Sequence, residues 1–322
     1  MAFANGDILL GLRRLDTADA ILYHFDSAGA LLGTTAMDAG HVGTSQIQPR
    51  GCCILDGAAY VTLNASVGAG EHDDLAVITT DGLVDSYISL DALGDSGSLV
   101  NDVAASSGGT LLVLCSIGAA PSTPNLYRIT TGGSVLESWT WGTSNNYALA
   151  RVAVVSDACK VYTWTDFLAS FGQGVAGLNL CTDSVLFENN IPTVAPVDFD
   201  HSPDCQRWLC GYGPSDNLLA VRLGADYATE IDVRDVFTLP DPGNQIFNNM
   251  GQLSLDGDAI WFSVGDFSGS PTTNYLYRYD ILGESTTLVY TIAAVGDQFS
   301  GKVQKPLAIC GGRLFTQIMA IH

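Results

Sequence analysis

The side chains best able to do chemistry in this chain are carboxylates, thiols and a few histidines, and their spacing is the first thing to weigh. Three carboxylate groups stand close in sequence: Asp198-x-Asp200-x-x-x-Asp204, Asp73-Asp74 and Asp256-x-Asp258. Calcium takes six to eight oxygen ligands at characteristic loop spacings, and none of the three groups has the spacing of an EF-hand. Solvated turn carboxylates are the expectation for all of them, with Asp198 and Asp200 on one face of a strand. None of the five histidines, His24, His41, His72, His201 and His322, accompanies a G-x-S-x-G, which stands nowhere in the chain, so nucleophilic catalysis has no motif behind it. The eight cysteines contain no C-x-x-C, which leaves zinc and dithiol redox chemistry without a motif. Cys159 and Cys181 fall where one repeat could bridge them, but free thiols are the favoured reading. FGQGVAG at 171–177 is formally G-x-G-x-x-G, yet a dinucleotide site needs a strand before it and a helix after it; it is read as a loop. No metal and no cofactor is expected.

Composition narrows the partners. Acidic residues outnumber basic ones 34 to 13, a formal charge of −21. That charge excludes binding of nucleic acid by phosphate neutralisation and disfavours anionic lipid surfaces. No apolar run is long enough to insert into a membrane, and no signal peptide is read at the N-terminus. On these features alone a cytoplasmic location is expected. Asp supplies 29 of the acids and Glu only five. Asp competes with the backbone for hydrogen bonds and favours turns, whereas Glu favours helix interiors. No sustained helical periodicity appears, and the chain reads as all-β.

A repeat of about fifty residues supplies the elements that would position these side chains. One hairpin recurs from Leu22, Leu75, Leu126, Gly177, Ala220 and Leu276, and a second lies between its copies, from Gly51, Asp102, Arg151, Val197, Gly251 and Pro306. Four antiparallel strands per unit at this period make the blades of a β-propeller. The expectation is one domain over residues 1–322 with six blades. Pro306–Ile321 would supply two strands of the last blade and Ile21–Thr35 the other two, which removes free sheet edges. DILLGL at 7–12 does not fit that scheme and leaves seven blades open. The five tryptophans, on strands, are read as packing between blades.

The hairpins with D-x-x-G or T-x-G-G turns resemble those of NHL-type six-bladed propellers, and Asn101-Asp102 before SSGGTLLVL resembles a stretch of the gluconolactonase-like propellers. The second resemblance implies a divalent metal held in the central channel by Glu, Asn and Asp, but here the first Glu is Glu71. In composition the chain also resembles propeller proteins of tailed-phage virions.

Loop lengths suggest where partners bind. One set of turns is short, as at Asp56-Gly57, and the other long, as at 64–74, 118–125, 166–176, 232–249 and 264–274. Loops on a rigid scaffold carry function. Inner strands starting from the long-loop face would ring the channel mouth with Arg50, Asn101, Asp102, Arg151, Asp198, Asn249 and Lys305, a mixed polar ring suited to a ligand. Phe167, Leu168 and Phe171 are the apolar anchors expected to meet a partner. The functional expectation is a non-enzymatic structural or interaction propeller, an exterior tail or capsid component of a phage, whose partners are other proteins. The alternatives are a lactonase-like hydrolase with a metal at the channel mouth, and a glycan- or receptor-binding propeller.

Overall fold

The computed structural model describes residues 3–14, 17, 19–38, 47–65, 73–93, 100–106, 108–115, 125–140, 149–154, 160–168, 172–269, 272–293, 298–303, 308–309 and 313–314. Every regular element among them is a strand. In chain order the first three are β1 (Ile8–Arg13), β2 (Ala20–Phe25) and β3 (Leu31–Met37). Five groups of four consecutive strands follow. They are β4 (Ile47–Leu55), β5 (Ala58–Ala65), β6 (Asp74–Ile78) and β7 (Ser86–Ser89); then β8 (Val100–Ser106), β9 (Thr110–Cys115), β10 (Leu126–Thr130) and β11 (Val135–Trp139). Next come β12 (Leu149–Val154), β13 (Lys160–Leu168), β14 (Gly172–Asn179) and β15 (Ser184–Asn190), and β16 (Ala195–His201), β17 (Arg207–Tyr212), β18 (Asn217–Leu223) and β19 (Glu230–Thr238). The last group is β20 (Gln245–Leu253), β21 (Ala259–Asp266), β22 (Thr273–Asp280) and β23 (Ser285–Ala293), after which β24 (Gln298–Val303), β25 (Ala308–Ile309) and β26 (Arg313–Leu314) complete the chain order.

Each consecutive group forms its own antiparallel four-stranded sheet, and β24 joins β1, β2 and β3 in a further sheet of four. The sheets are arranged as a propeller. The hydrophobic cores lie between sheets rather than within them. One unites Leu9, Leu22 and Met37 with Cys52, Val61 and Ala76 of the next sheet. Further cores join each sheet to its successor, and the last returns from Met250, Trp261 and Leu276 to Ile8, Leu10 and Leu12. A strand sandwiched this way is apolar on both faces. That explains β1, where Leu9 faces one neighbour while Ile8, Leu10 and Leu12 face the other and all four are fully buried. Trp139, Trp208 and Trp261 all lie in these inter-sheet cores, and the Trp139 indole N–H donates across one to the Leu180 carbonyl at 3.0 Å.

The turns follow their residues. Asp56 and Gly57 link β4 to β5 with φ of 52° and 80°, a two-residue hairpin loop whose left-handed backbone Asp-Gly accommodates at low cost.

Three expectations require correction. The sheet joining the two ends takes one strand from the C-terminal side and three from the N-terminal side, because β24 pairs with β1 from Ile8↔Val303 to Leu12↔Gln298. DILLGL is therefore the second strand of that sheet and not part of a seventh unit. Among the described residues β25 and β26 pair with each other and with no other strand. The contrast in loop length holds in the first half of the chain, where 38–46, 66–73 and 116–125 separate strands, but fades in the second, where 239–244 and 267–272 do so. Most of 166–176 is not a loop: β13 runs to Leu168, which pairs with Gly172 of β14. The β-branched and aromatic residues of VYTWTDFL sustain the strand.

Candidate functional site at the inner strands

The innermost strand of every sheet carries an irregularity at the same level. The register shifts between Pro49 and Cys52 on β4, Val100 and Asp102 on β8, Leu149 and Arg151 on β12, Pro196 and Asp198 on β16, and Phe247 and Gly251 on β20. On β24 Phe299 is passed over, since Ser300 pairs with Gly11 and Gln298 with Leu12. A bulge turns the strand and re-aims the side chains beside it. Arg50, Asn101, Arg151, Asp198 and Asn249, all expected at the channel mouth, sit at these bulges or immediately after them. Lys305 and Phe171 lie outside the described residues. Phe167 and Leu168 are strand residues of β13.

The bulge carboxylates point into protein. Asp102 and Asp198 are both fully buried. Asp102 Oδ1 accepts the Val103 N–H at 2.9 Å, and Asp198 Oδ1 accepts the Phe199 N–H at 2.9 Å. Asp198 also reaches the next sheet, accepting from Gln252 Nε2 at 3.3 Å and the Gly251 N–H at 3.4 Å. Asp200, two residues on, accepts the Leu253 N–H at 3.1 Å, so both carboxylates of β16 lean on β20 as the alternation predicts. Asp204 is engaged elsewhere, with Ser202 and Gln206. A buried carboxylate is tolerated where charge-assisted hydrogen bonds replace its water. The Asp198 and Asp200 bonds to Gly251, Gln252 and Leu253 fasten β16 to β20, and the Asp102–Val103 bond stays within β8. Among the described residues no group of three or more His, Cys, Asp or Glu is placed to hold a metal ion.

The thiols beside these strands are inert. Burial pushes Cys210 up, with the Asp198 and Asp200 charges adding to it. Burial, aided by Asp73, pushes Cys115 up as well. Cys52, Cys53, Cys115, Cys205 and Cys210 are in no disulfide. Cys181 is disulfide-bonded, which corrects the expectation of free thiols at that position.

One perturbed pair does lie at the mouth. Asp73 immediately precedes β6, and its Oδ2 accepts the N–H of Val100, the first residue of β8, at 2.8 Å. Its own N–H donates to Asp91 at 3.1 Å. Burial lifts the Asp73 carboxyl from 3.8 to about 6, with the Asp91 and Asp74 charges pushing the same way and the Val100 bond and Arg50 opposing. Burial lowers Arg50, Asp73 raises it and Arg13 lowers it. Asp73 thus holds the start of β8 through Val100 and is coupled electrostatically to Arg50 on β4. A carboxylate and a guanidinium shifted by burial and by each other mark a candidate site. Sequence reading found Arg50 and Asn101 by their place on inner strands. It placed Asp73 only in a loop, because no local pattern tells that its carboxylate caps the next sheet.

FGQGVAG is not a phosphate loop. Gly172–Asn179 is β14, and the glycines are there for close approach: a Cβ on Gly174 would lie 1.9 Å from the Asn189 carbonyl oxygen, and one on Gly177 would lie 2.5 Å from the Phe187 ring.

No family model and no curated protein matches this chain. Solved structures share its fold. A protein of unknown function from Bacteroides caccae superposes with a TM-score of 0.57 at 10% identity, covering 92% of this chain and 97% of that one. The hydrazine synthase of Kuenenia stuttgartiensis gives 0.48 at 12% identity over 86% and 93%, and the Dos1 propeller 0.47 at 12% over 91% and 70%. Likeness at this identity shows architecture alone.

Proposed function

We propose that this chain is a non-enzymatic structural and interaction propeller with six blades, five contiguous and one composite, and that it serves on the outside of a phage particle, in the tail or capsid. The observation that carries the non-catalytic part is the burial of Asp102 and Asp198. Carboxylates that a hydrolase would aim into its channel are spent here on backbone N–H groups. A lactonase-like metal site resembling Asn-Asp would need Asn101 and Asp102 presented together at an open mouth, whereas Asp102 is packed against Gly51 of the neighbouring sheet. The virion reading rests on composition: 29 Asp, few lysines and abundant Gly.

The proposed partners are other proteins, met on the face where Arg50 and Asp73 lie and where the longer connections of the first half emerge. A surface with formal charge −21 favours basic or neutral partner surfaces there. Particles purified on a density gradient from the organism encoding the chain, then labelled with a gold-conjugated antibody, test the proposal. Label at a fixed place on intact particles supports it. A chain found only in the soluble fraction overturns it.

A further inference from the structure

His24 lies mid-strand on β2, is wholly buried, and has a carboxylate on each ring nitrogen. Nε2 stands 2.7 Å from Asp7 Oδ2, in the turn before β1. Nδ1 stands 3.0 and 3.2 Å from the two oxygens of Asp81, in the β6–β7 turn of the neighbouring sheet. The route for Asp81 is cut by glycine. Gly33 pairs with His24 across β2 and β3, and a Cβ there would fall 2.6–2.8 Å from the Asp81 carboxyl group. The same turn is held again where the Gly82 N–H donates to Thr35 Oγ1 at 2.9 Å. Phe3 covers the ring at a centroid separation of 4.5 Å, and Asp7 is fixed by the Ala4 N–H at 2.6 Å. Other carboxylates nearby in sequence are turned away: Asp26 accepts from Ala28 and Ala30, and Asp85 accepts from Thr79.

An ionised carboxylate only accepts hydrogen bonds, and a neutral imidazole donates from one nitrogen only. Both contacts are satisfied together only when both ring nitrogens carry protons. We propose that His24 is a proton-dependent clasp that holds the N-terminal turn and the Asp81 turn across the seam between the composite sheet and the β4–β7 sheet. When the ring loses a proton, one nitrogen turns a lone pair toward a carboxylate in a buried site, and the seam loosens. With both carboxylates ionised, the doubly bonded clasp belongs to the ring that carries both protons, and removing one proton removes one of the two bonds.

The test is a pair of measurements on the full chain. Nitrogen-15 shifts of the His24 ring at about pH 6 should report two protonated nitrogens, the range being that of ordinary histidine chemistry. Urea midpoints taken from about pH 6.5 to 9 should fall for the wild type. The fall should flatten in Asp81→Asn, whose carboxamide can donate to an unprotonated ring nitrogen, and in His24→Gln. An unprotonated ring nitrogen at the lower pH overturns the proposal even if neither variant folds. Equal slopes in wild type and Asp81→Asn overturn it independently.

Discussion

Gly51 on β4 and Asp102 on β8 approach so closely at the bulge level that a Cβ on Gly51 would stand 2.2 Å from Asp102 Oδ1, 2.5 Å from its Cα and 2.6 Å from the Val103 nitrogen. Two of those three atoms are backbone. Gly251 on β20 is close-packed too, but against a side chain of the second strand of its neighbour: a Cβ there would lie 2.5 Å from Cys210 Cβ on β17. Inner strands converge on the axis of a propeller, and glycine at the bulge lets them meet. Beside Gly251, Asp198 fastens the two sheets through Gly251 and Gln252, and beside Gly51 the buried Asp102 holds the N–H of its own strand neighbour Val103.

Gly51→Ala should therefore be costly. Overpacking in a tight core costs about 1–3 kcal/mol, and with backbone atoms unable to yield, the upper end is expected. Gly132→Ala, whose nearest neighbour would be Thr130 Oγ1 at 3.8 Å, is the control and should change stability by no more than about 0.5 kcal/mol. Urea unfolding of both variants checks this. A Gly51→Ala protein as stable as the control would mean that the inner strands are not in contact at this level.

Asp73 predicts a pH dependence with a definite sign. Its carboxyl is raised from 3.8 to about 6 in the folded protein, so the folded state binds the proton more tightly than the unfolded chain. Its contribution is most favourable below pH 3.8 and is lost as pH rises to about 6. At roughly 1.4 kcal/mol per pKa unit the loss is about 3 kcal/mol at most. Asp73→Asn should remove that slope, so the stability difference between variant and wild type should grow between about pH 4 and 6 and then level off. A difference constant across this window would show that Asp73 is not desolvated.

Thiol chemistry checks the cysteine assignments. Alkylation of the denatured, unreduced chain should leave Cys181 unlabelled and modify Cys52, Cys53, Cys115, Cys205 and Cys210. In the native state Cys205, only half-buried, should react first. Cys115 and Cys210 should resist, because the thiolate is the reactive form and burial disfavours it. Labelling of Cys181 without reductant would restore the free-thiol reading.

The repeat was legible because each hairpin is written locally. Apolar strands flank Asp-Gly or Gly-Gly turns, and the residues that start the inner strands recur about every fifty positions. The cores between sheets follow from strands apolar on both faces, of which β1 is the plainest. Contacts across a seam were not legible. Nothing near Asp73 in sequence says that it caps Val100, and nothing near Asp81 says that Gly33 opens a path to His24. Such pairs depend on how neighbouring sheets are set against each other. FGQGVAG misled for a related reason: its glycines answer to Asn189 and Phe187 on the adjoining strand, which a motif of local spacing cannot register.

Truncation separates the two accounts of how the chain's ends are joined. If residues beyond 305 supplied the last inner strands, deleting 304–322 would open a sheet. In the structure the inner strand is β24, and among the described residues β25 and β26 pair with each other and with no other strand. Deleting 304–322 should therefore leave all the four-stranded sheets, with cooperative unfolding and a monomer by gel filtration. Deleting 298–322 removes β24 and bares the edge of β1, whose Ile8, Leu9, Leu10 and Leu12 are fully buried in the intact protein. An apolar unpaired edge recruits other chains, so this longer truncation should aggregate or lose cooperativity. Should the two truncations behave alike, the pairing of β24 with β1 would be wrong, and the composite sheet would have to draw its inner strand from elsewhere.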